Sequence, residues 1–363
     1  MRVLVLTASV GEGHDLPARV LADELRARGA EAVVADGLDE LGSLLTGAAE
    51  GGMRVTYGSG RMLWLFDLQY LVFARLAPTR ALGQTLLYRL GGTRLLRFVQ
   101  AEEPDAVVST YPGVTEVLAR LRRSGRLRIP VVSVITDLSS LRYWASPGVD
   151  LHLLTHPESV EEVRHIAGDE TRVETVRGLN DPAFLSPPPP SVARARLKLA
   201  ADAPVVAVSG GGWGVGDLEG AIRAARAVPD AYVLALCGRN VNKRAYLEHA
   251  LAGDECVRVL GFVDDMATLL SASDVLVHST AGLTVLEAYM VGCRPISYGW
   301  GVGHIRLNNR AFVRHGIAQV VTKLEDLPGA IRAAIAQPRE PRYADFAKLP
   351  SAAELVLSMN HST

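Results

Sequence analysis

VLVHSTAGLTVLEAYMVGCRPIS, residues 275–297, joins a short apolar run, a turn of small residues, a segment with helical spacing and a second apolar run. Apolar runs without polar alternation read as strands buried on both faces, and a helix between two of them makes a parallel crossover unit. The same rhythm extends outward to residues 257–260, 232–236 and 205–209, each followed by glycine and a helix-like segment. It returns in the first half at residues 3–6, 32–35, 106–109, 131–136 and 151–155, with a helix predicted from Pro17 to Arg28 and Gly29 as its C-cap. The fold class is therefore α/β, with two doubly wound, Rossmann-like domains facing across a cleft. Four prolines at 187–190 mark a stiff linker. The expected division is a domain over 1–178, a linker over 179–203, a domain over 204–340 and a tail over 341–363 that packs back on the first domain.

Composition narrows the function classes. The 363 residues are 48% hydrophobic and 21% charged, which suits a packed globular protein and excludes a disordered tail or a coiled coil. With 38 Lys and Arg against 39 Asp and Glu, no global field draws the chain to nucleic acid. Cys237, Cys256 and Cys293 lack metal or disulfide spacing, so a reducing cytosol is expected. The N-terminus does not read as a signal peptide, and no run reaches the ~18 apolar residues of a membrane span.

Residues 53–98 break the rhythm. Seven arginines (54, 61, 75, 80, 89, 94 and 97) face a single acid, Asp67, with Trp64 and other aromatics between them. Two readings stand: a segment lying on an anionic membrane surface, or a core-facing helix pair with a solvated basic rim.

Three loops follow strands and can carry chemistry. Ser9-Val10-Gly11-Glu12-Gly13-His14 offers glycines for close approach and a helix N-terminus for an oxyanion. His14 there reads either as a helix-capping residue or as a base, since imidazole titrates near neutrality. Val208-Ser209-Gly210-Gly211-Gly212-Trp213-Gly214 is too glycine-rich for a mere connector and suits a pyrophosphate, without being a P-loop. In 279–287 the small residues expose amides to phosphate, and Glu287 on a buried helix requires a partner that two ribose hydroxyls would supply.

Taken in order, TASVGEGH (7–14), ITDL (135–138), RGLNDPAF (177–184), VSGGGWG (208–214), LCGRN (236–240), VLGFVDDM (259–266) and STAGLTVLEAYMVGCRPI (279–296) resemble the GT-B glycosyltransferases that include monogalactosyldiacylglycerol synthases, processive diacylglycerol glucosyltransferases and, more distantly, MurG. The resemblance implies a UDP-sugar bound by the C-terminal domain and a lipid or other hydrophobic acceptor bound by the N-terminal one. It implies that Glu287 binds ribose, that Phe262 and Val263 hold uracil, and that Gly211, Gly212 and Ala281, Gly282, Leu283 and Thr284 meet the diphosphate. Trp213, Arg239, Met266, Thr280, His304 and Asn308 complete the implied donor site, and Gly11, Gly13 and Trp64 the acceptor side. His14 or Asp137 would take the acceptor proton in an inverting displacement, with no metal and no cofactor; Asp137 reads equally as an N-cap. The protein would be cytoplasmic, at the inner face of a membrane.

One block departs from that pattern. Where relatives read the sugar with a Gln-Glu pair, this chain carries His304 and Ile305, and isoleucine accepts no hydrogen bond. His304 then either reads the sugar or faces the leaving phosphate. Asp15 places an anion where a phosphorylated acceptor would be repelled. Asp264-Asp265 reads as a helix start and the His152/His156 pair as strand residues, not as metal sites. A soluble secondary metabolite as acceptor, nucleotide-sugar epimerisation, and a non-catalytic nucleotide-sugar sensor are the competing functions.

Overall fold

The computed structural model describes residues 1–8, 12–42, 76–168, 171–280, 282–299, 301 and 303–359. They form two compact units, the first built from Met1–Asn180, Val302–His304 and Lys348–Thr363, the second from Asp181–Gly301 and Ile305–Ala347.

In the first unit the order is β1 (Arg2–Thr7), α1 (Glu12–Ala27), β2 (Glu31–Asp36), α2 (Gly37–Leu41), α3 (Ala77–Glu102), β3 (Ala106–Ser109), α4 (Pro112–Arg123), β4 (Val131–Ile135), α5 (Leu141–Trp144), β5 (Leu151–Leu154), α6 (Val160–Ala167) and β6 (Arg172–Thr175). The strands form one parallel sheet in the order β2-β1-β3-β4-β5-β6. Val3, Val5, Val132 and Leu151 pack on the α1 side and Leu4, Leu6, Val107 and Val131 on the α4 side, so the strands are apolar throughout because both faces are covered.

The second unit runs α7 (Pro190–Arg196), β7 (Val205–Ser209), α8 (Leu218–Arg226), β8 (Tyr232–Leu236), α9 (Val241–Ala250), β9 (Val257–Leu260), α10 (Met266–Ala272), β10 (Val275–His278), α11 (Leu283–Val291), β11 (Arg294–Tyr298), α12 (Gly303–Arg314), β12 (Gln319–Val321), α13 (Leu327–Ile335) and α14 (Tyr343–Phe346). Its sheet, also parallel, has the order β12-β11-β10-β7-β8-β9, the strand order of dinucleotide-binding folds. A last helix, α15 (Ala352–Ser358), returns to the first unit.

Three expectations are corrected, and two strands are added. The stretch 179–203 is not a free linker: Pro190 opens α7 at a first-turn position that needs no N–H, Ala193 and Phe184 are fully buried, and Arg194 pairs with Asp274 at 2.8 Å. Prolines at a helix entry and in a spacer look alike in composition. The tail divides at Lys348: α14 stays with the second unit, while α15 buries Ala352, Ala353 and Val356 in the first unit's core behind a Ser351/Glu354 capping box. Helix α1 starts at Glu12 and carries Pro17 inside it. Strands β6 and β12 went unseen, because edge strands of three or four residues, half exposed, show no apolar run.

Candidate functional site

In an open parallel sheet, ligands settle beyond the carboxyl ends of the strands where the strand order reverses. That point lies between β1 and β3 in the first unit and between β7 and β10 in the second.

In the first unit it carries side chains. His14 sits in the first turn of α1, and its Nδ1 is 3.0 Å from the carbonyl oxygen of Thr110, the residue after β3. A carbonyl only accepts, so Nδ1 bears the proton and Nε2 carries the basic lone pair. The Thr110 hydroxyl, itself buried, donates back to the His14 carbonyl at 3.1 Å and fixes the turn. The imidazole is packed edge-on to Tyr111, with centroids 5.1 Å apart, and tilted against Trp144 at 5.6 Å. Trp144 Nε1–H donates to Asp137 Oδ2 at 3.0 Å. One indole thus stacks on His14 and holds Asp137. Asp137 is not an N-cap; Ser140 occupies that position of α5. The Asp15 carboxylate accepts from Thr7 Oγ1 at 2.8 Å, which anchors this anion to the end of β1.

In the second unit the switch point is built from backbone. The turns after β7 and β10 approach so closely that a Cβ at Gly211 would lie 3.2 Å from Thr280 Cγ2. Gly211 and Gly238 have φ of +68° and +58°, and a Cβ at Gly238 would strike the carbonyl oxygens of Gly211 and Gly212. Arg239 N–H donates to the Gly212 carbonyl at 2.8 Å, and its guanidinium lies 3.9 Å from the centroid of Phe262. Trp213 and Phe262 are exposed, and Val263 is half-buried. Asp265 caps α10 by accepting from Thr268 N–H, so Met266 is the first residue of that helix. Thr280, Leu283 and Thr284 are half-buried and Gly282 is exposed, at and before the start of α11.

Glu287, in the second turn of α11, is 5% exposed. Among the described residues none hydrogen-bonds its carboxyl. Burial, reinforced by the negative charge of Asp181, pushes its pKa up to about 8. At neutral pH it is a protonated acid that can both donate and accept.

The structure thus gathers Gly211, Gly212, Arg239, Phe262 and Thr280 at one edge of the second sheet, and His14, Trp144 and Asp137 at one edge of the first. Gly13 opens onto space. Asn308 is buried on α12, as is Ile305, which packs against Gly301 as a core residue. Gly11, Trp64 and Ala281, the side chain of His304, and all of the 53–98 segment before Leu76 lie outside the described residues. Sequence reasoning missed Thr110, whose only signal is its position directly after β3, and Trp144, at the end of α5, which carries no local signal. It also missed a buried relay in which His278 Nε2–H donates to Ser297 Oγ at 3.2 Å and Ser297 donates to Asn309. Burial pushes the His278 pKa down to about 3, so that imidazole stays neutral. His152 is a core residue of β5, pushed down to about 4 by burial. No group of three metal-ligating side chains occurs among the described residues, and none of their helices is long and apolar enough to cross a membrane.

Residues 21–178 match the family model for monogalactosyldiacylglycerol (MGDG) synthase, and residues 203–338 that for glycosyl transferases group 1. The chain is a glycosyltransferase of the GT-B fold. It resembles the processive diacylglycerol beta-glucosyltransferase of Bacillus pumilus, with 22% identity over 329 residues that cover 90% of this chain and 84% of that one. In fold it is similar to MurG of Acinetobacter baumannii (TM-score 0.60, 17% identity, covering 100% of this chain and 99% of that one). It is also similar in fold to UGT89C1 of Arabidopsis thaliana complexed with UDP (TM-score 0.61, 15% identity, 99% of each chain).

Proposed function

We propose that this chain moves a hexose from a UDP-sugar to a hydroxyl of a lipid or hydrophobic acceptor, with inversion at the anomeric carbon. The observation that carries this reading is the buried Glu287, without a hydrogen-bond partner among the described residues, on the helix that follows the turn after β10 at the switch point of the second unit. A ribose offers two hydroxyls to such a carboxyl, and a diphosphate suits amides and the N-terminus of α11.

Glu287 holds the ribose and Phe262 and Val263 the uracil, with Arg239 stacked on Phe262. Gly211, Gly212, Thr280, Gly282 and Thr284 take the diphosphate, and Trp213, Met266, His304 and Asn308 border the sugar and base. The acceptor oxygen attacks the anomeric carbon from the face opposite UDP as the bond to UDP breaks, and its proton passes to His14 Nε2. Trp144 and Asp137 keep the imidazole oriented. Charge on the departing UDP is met by amides and the helix end, so no resident metal or cofactor is invoked.

The lipid part is supported by α3. Leu82, Leu86 and Leu90 lie one turn apart, 69%, 53% and 55% exposed, among Arg80, Arg89, Arg94 and Arg97. An apolar stripe with arginines alongside suits an anionic membrane surface, which would hold the protein peripherally on the cytoplasmic face. Co-sedimentation with vesicles tests this: pelleting should rise with anionic lipid, and equal pelleting with neutral vesicles, or none, overturns it. The donor part is tested by calorimetry with UDP and UDP-sugars. UDP should bind and protect the second unit thermally, and indifference to uridine nucleotides sinks the reading.

A further inference from the structure

A cavity of about 200 Å³ opens between α3 and α4 in the first unit, walled by Gly83, Gln84 and Leu87, by Pro112 and Gly113, and by Tyr143 of α5. We propose that this cavity receives an acyl chain of the acceptor lipid and thereby sets the acceptor hydroxyl at His14. The inference rests on the transferase reading above and names the part of the acceptor that the first unit grips.

Three observations carry it. First, one ring separates the cavity from the imidazole. Gly113 backs onto Tyr111, where a Cβ at Gly113 would stand 3.1 Å from Tyr111 Cε1, and Tyr111 packs edge-on to His14. Burial and the neighbouring Tyr143 raise the Tyr111 pKa, so the cavity wall adjoins the aromatic layer that His14 forms with Tyr111 and Trp144.

Second, the lining offers an occupant little besides apolar surface. The carboxylate in its lining, Glu116, is already bound by Arg120 at 2.6 Å and by Ser146 at 2.6 Å. Arg80 lines the cavity as well, so its formal charges, one guanidinium and one carboxylate, cancel and favour neither a cation nor an anion. The remaining, mostly apolar surface suits an uncharged hydrocarbon chain.

Third, the cavity opens on the apolar stripe. Leu86 lines it as well as standing exposed beside Leu82 and Leu90, so one continuous apolar track leads along α3 into the pocket.

The test uses the full-length protein, a UDP-sugar it accepts, and diacylglycerols short enough to stay monomeric. In the wild type, acceptor KM should fall by about threefold to fourfold for each methylene buried, then level off once the cavity is full. Gly83→Leu should bring that plateau to shorter chains and raise KM for long chains at least fivefold, with UDP affinity unchanged. Leu87→Ala should move it to longer chains. The same dependence on chain length in all three proteins overturns the inference. A diacylglycerol carrying a diazirine at the chain end gives a readout independent of turnover and of the variants. Adducts within residues 83–87 and 112–113 support the cavity, and adducts only elsewhere reject it. Transfer to no diacylglycerol of any length, with UDP still bound, instead defeats the lipid acceptor of the parent reading.

Discussion

The turns after β1 and after β7 hold the same place in their sheets yet are made of different material. At the first, the polar groups gathered are side chains: His14, positioned by Thr110, Tyr111 and Trp144, with Asp137 held behind the indole. At the second they are mostly main chain, on glycines whose positive φ and tight neighbours exclude a Cβ, with Glu287 as a buried acid on the following helix. The difference follows from the ligand chemistry each would serve. A diphosphate is a fixed anion that amides can meet without titrating, whereas removing a proton requires a group that titrates near neutrality.

The contrast can be broken most sharply at His14. His14→Ala should lower kcat by about 10²- to 10⁴-fold while UDP affinity, measured by calorimetry, stays within about twofold. A matching loss of donor affinity would erase the division between the units. Next in size is Glu287→Ala, expected to weaken UDP binding by roughly 10- to 100-fold, about 1.4 to 2.8 kcal/mol, with Glu287→Gln losing less. Weakened turnover with intact UDP affinity would move Glu287 out of the donor site.

The same residue sets a pH signature for the protein without ligand. Because the Glu287 pKa is raised to about 8, the folded chain keeps a proton that the unfolded chain releases above the ordinary carboxylate range. Its stabilising effect is complete below that range and is lost as pH rises through about 8. Wild type should therefore lose on the order of 3 to 4 kcal/mol between pH 5 and pH 8 relative to Glu287→Gln, followed by denaturant melts. Parallel curves for the two proteins would place the carboxyl in a wetter setting.

Smallest is Trp144→Phe, which keeps an aromatic ring on the imidazole but removes the N–H that holds Asp137. About a tenfold drop in kcat, with acceptor KM little changed, would identify positioning through the indole. An unchanged kcat would leave Asp137 and Trp144 as packing alone.

Both sites were half legible in the chain. Glycines 210–216, and Glu287 within an otherwise apolar helix, announce themselves, because their cost to folding demands a reason on the spot. His14 was visible as a histidine at a strand-to-helix turn, but its tautomer was not, since the deciding carbonyl belongs to Thr110, 96 residues away. Trp144 looked like one more aromatic until α5 laid it against His14. The stretch 179–203 misled for the opposite reason: composition speaks of stiffness, and only the burial of Phe184 and Ala193 and the Arg194–Asp274 pair reveal that the stretch is built into the second unit.

Local order set the alternation of buried strands and helices, because strand periodicity, glycine conformation and helix spacing act over a few residues and leave their mark in composition. Which turns stand side by side, which nitrogen of His14 holds the proton, and that Glu287 lies out of water were decided by strand order and packing. Those depend on contacts between residues tens of positions apart, which no local pattern encodes.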